Sequence, residues 1–156
     1  MNKKDIALVQ RRDRGTTQLL RDLRDRLLPK RAPFYVGVVL NRTFPIAGAQ
    51  GRFIAGYDSL FGNLGVRASL EFGASPVSFS GALTSNFSLA ATDGYLGLGL
   101  GMLFDPQPLG FSELFVGVTW HITYNIAVFA EARITSVFDA DSTNLGAIDF
   151  GVQFRF

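Results

Sequence analysis

Asp149-Phe150-Gly151-Val152-Gln153-Phe154-Arg155-Phe156, the last eight residues of the chain, alternate polar and apolar without a break. Successive side chains of a β-strand point to opposite faces, so Phe150, Val152, Phe154 and Phe156 share one face and Asp149, Gly151, Gln153 and Arg155 the other. A strand so divided predicts a sheet with one apolar and one polar side. Placed at the end of the chain, it also suits a closed barrel, whose last strand must pair with its first.

The same alternation extends upstream. From residue 33 onward, eight stretches read as strands, near 33–42, 51–60, 63–73, 76–89, 94–104, 110–122, 124–136 and 144–156. Between them lie turn-forming segments, Phe61-Gly62-Asn63, Thr92-Asp93-Gly94, Asp105-Pro106-Gln107-Pro108 and residues 139–144. Most of the stretches reach the roughly 9 to 11 residues that a tilted strand needs to cross a bilayer, and single-chain bacterial barrels have even strand numbers.

One face collects Val36, Val38 and Leu40; Leu64, Val66, Leu70 and Phe72; Val77, Phe79 and Leu83; Leu96, Leu98, Leu100, Met102 and Phe104; Leu114, Val116, Val118, Trp120 and Ile122; and Ile126, Val128 and Ile134. The other collects Arg52, Asp58, Arg67, Glu71, Glu113, Glu131, Arg133, Asp149 and Arg155 among Gly, Ser and Thr. The apolar set is expected to face lipid and the charged set the lumen. A soluble lipocalin-like carrier would reverse the faces, and alternation alone does not choose between them. The breadth of the apolar set and the terminal aromatic pattern favour apolar side chains outside.

Composition agrees. The 156 residues are 47% hydrophobic, with a mean hydropathy of +0.21, 17 Gly and 15 Phe. No run of about 18 apolar residues is present, which excludes a membrane-spanning helix and leaves lipid contact to alternating strands. With no cysteine, disulfides, thiolate metal sites and a cysteine-borne acyl anchor are also excluded.

Charge divides the chain in two. Residues 1–32 hold ten Lys/Arg against four Asp, a balance of +6, while residues 33–156 hold five Arg against nine Asp/Glu, a balance of −4. Pro29 and Pro33 bracket the change, so a leader over 1–32 and a barrel over 33–156 are expected. Met1-Asn2-Lys3-Lys4 looks like the basic start of a secretory signal, but Ile6 to Val9 is shorter than the about 7 to 15 apolar residues such a signal needs. A mature or engineered form with an added Met1 is the expectation.

Within the leader, Thr16 or Thr17 can cap a helix whose stripe is Leu19, Leu20, Leu23, Leu27 and Leu28, with Arg21, Arg24 and Arg26 on the opposite face. Such a helix suits an anionic membrane surface, the cell wall or a partner protein, or packs against the barrel end. Nucleic acid is not an expected partner, because no aromatics interleave with the basic residues.

Asp149, Gly151 two positions on, and Phe154 and Phe156 three and five residues after that glycine resemble the C-terminal assembly signal of bacterial outer-membrane β-barrel proteins. The whole resembles the transmembrane domains of OmpA-type and OmpX-type proteins. That resemblance implies an all-β, eight-stranded antiparallel up-and-down transmembrane barrel, preceded by the basic amphipathic helix. It also implies residence in the bacterial outer membrane and, as partners, membrane lipids, the barrel assembly machinery and an envelope protein. With both termini on the periplasmic side, the outward loops near 42–51, 73–76, 105–110 and 136–144 are short, which disfavours an adhesin or a surface protease.

Charges in a narrow lumen must pair, since an isolated buried ion costs several kcal/mol. The four Arg and five acids of the inward set nearly balance, which suggests a structural ion-pair network; a gated ion path or a small ligand cavity is the alternative. Gly97, Gly99 and Gly101 leave space for a ligand or for the rings of Tyr35, Tyr95, Phe115 or Phe129. His121 is the single histidine and, beside Trp120, fits an interface belt. No catalytic, metal or cofactor residues are predicted. The expected role is a structural or anchoring membrane protein. A small ion channel comes next, followed by a lipid-modifying enzyme like the acyl-transferring barrels that also carry an N-terminal helix.

Overall fold

The computed structural model describes residues 32–44, 49–73, 77–89, 92–105, 107–138 and 143–156. The basic segment, with the helix expected on Leu19, Leu20, Arg21, Leu23, Arg24, Arg26 and Leu27, lies outside the described residues. The strands are β1 Phe34–Phe44, β2 Ala49–Phe61, β3 Leu64–Gly73, β4 Val77–Leu89, β5 Thr92–Asp105, β6 Gln107–His121, β7 Ile126–Val137 and β8 Asn144–Arg155. Each pairs antiparallel with its successor, and β8 returns to β1 in one closed barrel. The closing seam runs from Tyr35 opposite Arg155, through Val38 opposite Val152, to Phe44 opposite Gly146.

The ends differ from the sequence reading for local reasons. β5 begins at Thr92 rather than Gly94, because Thr92 and Asp93 continue the pairing with Leu89 and Ser88 on β4 and with Trp120 and Thr119 on β6. β6 begins at Gln107, which pairs with Asp105. β7 begins only at Ile126, because the Thr123 hydroxyl accepts the backbone N–H of Asn125 and of Ile126 and holds a turn before it. Gly62, at φ 65°, turns β2 into β3, a left-handed conformation that suits glycine.

The two faces sort by chemistry in the sense opposite to a water-soluble domain. Leu40 is 71% exposed, Leu98 64% and Phe150 62%, whereas Arg52 and Asp149 are 0% exposed. The apolar set covers the outside of the barrel, so the reversed arrangement of a soluble lipocalin-like carrier is not the one adopted.

Glycine and aromatic residues close the lumen in cross-strand pairs. Tyr35 stands opposite Gly56, Tyr95 opposite Gly117, Phe115 opposite Gly97, Phe111 opposite Gly101 and Phe129 opposite Gly151. In each pair the ring lies where a Cβ on the glycine would stand. The glycine gives up its side-chain volume and the ring opposite fills it. Of the four rings considered for the Gly97 strand, only Phe115 packs there, while Tyr35, Tyr95 and Phe129 cover glycines elsewhere. Phe87 over Gly94 and Phe72 over Gly51 repeat the device on the outer face.

Candidate functional site: the barrel lumen

Strand alternation delivers seven charged side chains to the middle of the lumen: Arg52 on β2, Arg67 and Glu71 on β3, Glu113 on β6, Glu131 and Arg133 on β7, and Asp149 on β8. Arg52 Nη2 donates to Glu131 Oε1 at 2.8 Å and to Asp149 Oδ2 at 2.5 Å. Arg67 grips the same Glu131 through both terminal nitrogens, at 2.5 and 3.1 Å, and its guanidinium stacks 3.5 Å from the centre of the Phe115 ring. Arg133 Nη2 donates to Glu71 at 2.9 Å, and the same guanidinium lies 3.7 Å from Glu113 and 3.5 Å from Asp149. Ser80 donates to Glu113 at 2.8 Å and shares a 2.6 Å hydrogen bond with Ser69.

Such buried pairs are held by geometry, and removing one member strands the others. The cluster counts three guanidiniums against four carboxylates. Its formal balance is therefore −1.

Arg155 and Asp58 form a separate pair at 2.6 Å, near the end where the chain enters β1. Arg155 also reaches the Ala32 carbonyl at 3.4 Å and lies 5.5 Å from the Tyr35 ring. Beneath them Tyr35, Tyr95 and Phe129 leave only about 40 Å³ of space. On the other side of the central cluster the lumen opens into a cavity of about 370 Å³. Thr43, Gln50, Glu71 and Ser78 form its wall on β1 to β4, and Leu103, Leu109, Phe111, Val137 and Leu145, with Arg133 and Thr135, form the wall on β5 to β8.

His121 does not sit in an outer belt. It follows the outward-facing Trp120, so alternation turns it inward, where Nε2 meets Asp93 Oδ2 at 2.7 Å. Ser88 donates to the other oxygen of Asp93 at 2.7 Å. The carboxylate stands between hydroxyl and imidazole, whereas nucleophilic catalysis requires the imidazole beside the hydroxyl. Among the described residues no group of three or more His, Cys, Asp or Glu has a metal-binding arrangement.

The four residues of the terminal pattern divide between the faces. Asp149 and Gly151 face the lumen, with Asp149 inside the central cluster, while Phe154 and Phe156 lie outside, the Phe156 ring 4.9 Å from that of Phe34.

No family model and no curated protein matches this sequence. Solved structures do match it in fold. The fold is that of a small outer-membrane barrel. Neisserial surface protein A superposes with a TM-score of 0.63 at 17% identity, over 80% of this chain and 98% of that one. The N-terminal β-barrel domain of Pseudomonas aeruginosa OprF gives 0.64 at 14% identity, over 81% and 98%. The outer membrane enzyme PagL gives 0.55 at 12% identity, over 78% and 99%.

Proposed function

We propose that the protein is an outer-membrane β-barrel with a closed lumen, serving as a structural or anchoring element rather than as an enzyme or an open pore. The observation that carries this reading is the inversion of the faces: leucines and phenylalanines outside, with buried guanidinium–carboxylate pairs filling the interior. Strands of 10 to 15 residues suffice to carry that apolar exterior across a hydrocarbon layer. Phe154 and Phe156 serve as the assembly signal read by the barrel assembly machinery, and residues 1–32 contact anionic lipid, the cell wall or a partner protein.

Refolded into detergent or lipid, the full chain should migrate differently on gels before and after boiling. It should show no conductance steps in planar bilayers. Regular steps that change with Glu71→Gln and Arg133→Gln would establish an ion channel instead. Deleting residues 1–32 should leave the mobility shift and abolish binding to anionic vesicles or envelope fractions; retained binding would remove the leader's role.

A further inference from the structure

The loop-side cavity departs from the rule that governs the rest of the lumen. Leu103, Leu109, Phe111, Val137 and Leu145 of β5 to β8 line it, while its polar groups lie mainly on β1 to β4 and are joined from β7 by Arg133, the partner of Glu71, and by Thr135. The space, about 370 Å³, falls within the roughly 300 to 1,000 Å³ typical of small-molecule sites, which combine mostly apolar walls with a few placed polar groups.

At the cavity stands Glu71. Its side chain is 11% exposed, against 1% or less for Glu113, Glu131 and Asp149, so it is the member of the central cluster that most faces the open space. Arg133 supplies Glu71 with one hydrogen bond, at 2.9 Å, and is shared with Glu113 and Asp149. The cluster is one positive charge short of balance, and a buried charge left uncompensated is costly. A cation arriving at Glu71 would complete the network, and an apolar body attached to it would lie against the leucine wall.

We propose that this vestibule binds a small cationic amphiphile, an alkyl or cycloalkyl ammonium, with its charged head on Glu71 and its apolar body against Leu103, Leu109 and Leu145. The geometry divides the work: Glu71 selects the charge, and the β5 to β8 wall supplies the contact area. The floor excludes deeper entry, because Arg67 on Phe115 and the Arg52–Glu131 pair fill the lumen behind it.

The test uses the full chain with methyl-labelled Leu and Val, refolded into lipid nanodiscs and titrated with three probes that share one ring. Cyclohexylmethylammonium should shift the Leu103, Leu109, Val137 and Leu145 methyl signals saturably and leave the lipid-facing Leu98 and Leu114 unmoved. Cyclohexylmethanol should bind at least about tenfold more weakly, the loss of one charge-assisted contact, and cyclohexanecarboxylate should give no saturable shift. Glu71→Gln should bring the ammonium down to the level of the alcohol. Equal affinity for ammonium and alcohol in the unmodified chain would overturn the cationic selection. Shifts confined to Leu98 and Leu114 would reduce the effect to partition into lipid and overturn the site. Because the three probes are compared on the unmodified protein, the outcome stands even where Glu71→Gln fails to fold.

Discussion

The two ends of the lumen are made from the same eight strands by the same alternation, yet one is packed to about 40 Å³ and the other opens to about 370 Å³. The packed end places Tyr35, Tyr95 and Phe129 over Gly56, Gly117 and Gly151, so each ring lies where the opposite residue has no side chain. At the open end Phe111 over Gly101 is the last such pair, and beyond it come Leu, Val, Thr and Ser, which are too short to meet across the barrel. A barrel of this size is neither a pore nor a solid by default. Ring–glycine pairing decides which, one cross-strand pair at a time.

The comparison can be broken at the centre first. Glu131→Ala leaves Arg52 and Arg67 buried without their shared partner, a loss of about 3 to 5 kcal/mol, as expected for an orphaned buried charge. Urea titration of protein in lipid vesicles, followed by the emission of the single tryptophan, Trp120, would measure it. A loss under about 1 kcal/mol would mean that the lumen is wetter and looser than its buried pairs indicate.

Phe129→Ala, at the packed end, should cost about 3 to 5 kcal/mol in the same titration, because the ring is 3% exposed and Gly151 has no side chain to fill the hole. Gly97→Val, which drives two methyl groups into the Phe115 ring, should cost about 1 to 3 kcal/mol. Leu145→Ala, at the open end, should cost less than about 1 kcal/mol, since its side chain borders space that already exists. Equal losses for Phe129→Ala and Leu145→Ala would erase the distinction between the two ends.

Much of this was legible in the sequence because the period of a strand is short and strict. Leu96, Leu98, Leu100 and Met102 alternate with Gly97, Gly99 and Gly101, and either set identifies the strand and its faces. For His121 the neighbouring Trp120 suggests an outer belt, but the same alternation decides otherwise: one step beyond an outward Trp120, it must point inward. Its partner Asp93 was hidden by the turn propensity of Thr92-Asp93-Gly94, although continuing the inward series Gly99, Gly97 and Tyr95 by one more step reaches it.

The leucines of the vestibule follow the alternation too, but nothing in Leu103 or Leu109 alone says that no ring comes from the opposite wall. Which ring covers which glycine depends on register between strands. Register is set by bulges such as the shift between Tyr57 and Phe61 on β2, and pattern alone does not locate these.

The seam between β1 and β8 bears on the order of events in folding. Tyr35 finds Arg155 only after the whole barrel sequence has been made, whereas every other strand pair joins neighbours in the chain. Until that last meeting the open sheet carries two raw edges, each able to recruit a foreign strand. The sheet is therefore most prone to aggregation while β1 and β8 are unpaired, and a truncation that removes β8 should leave a species that needs a chaperone for as long as it exists.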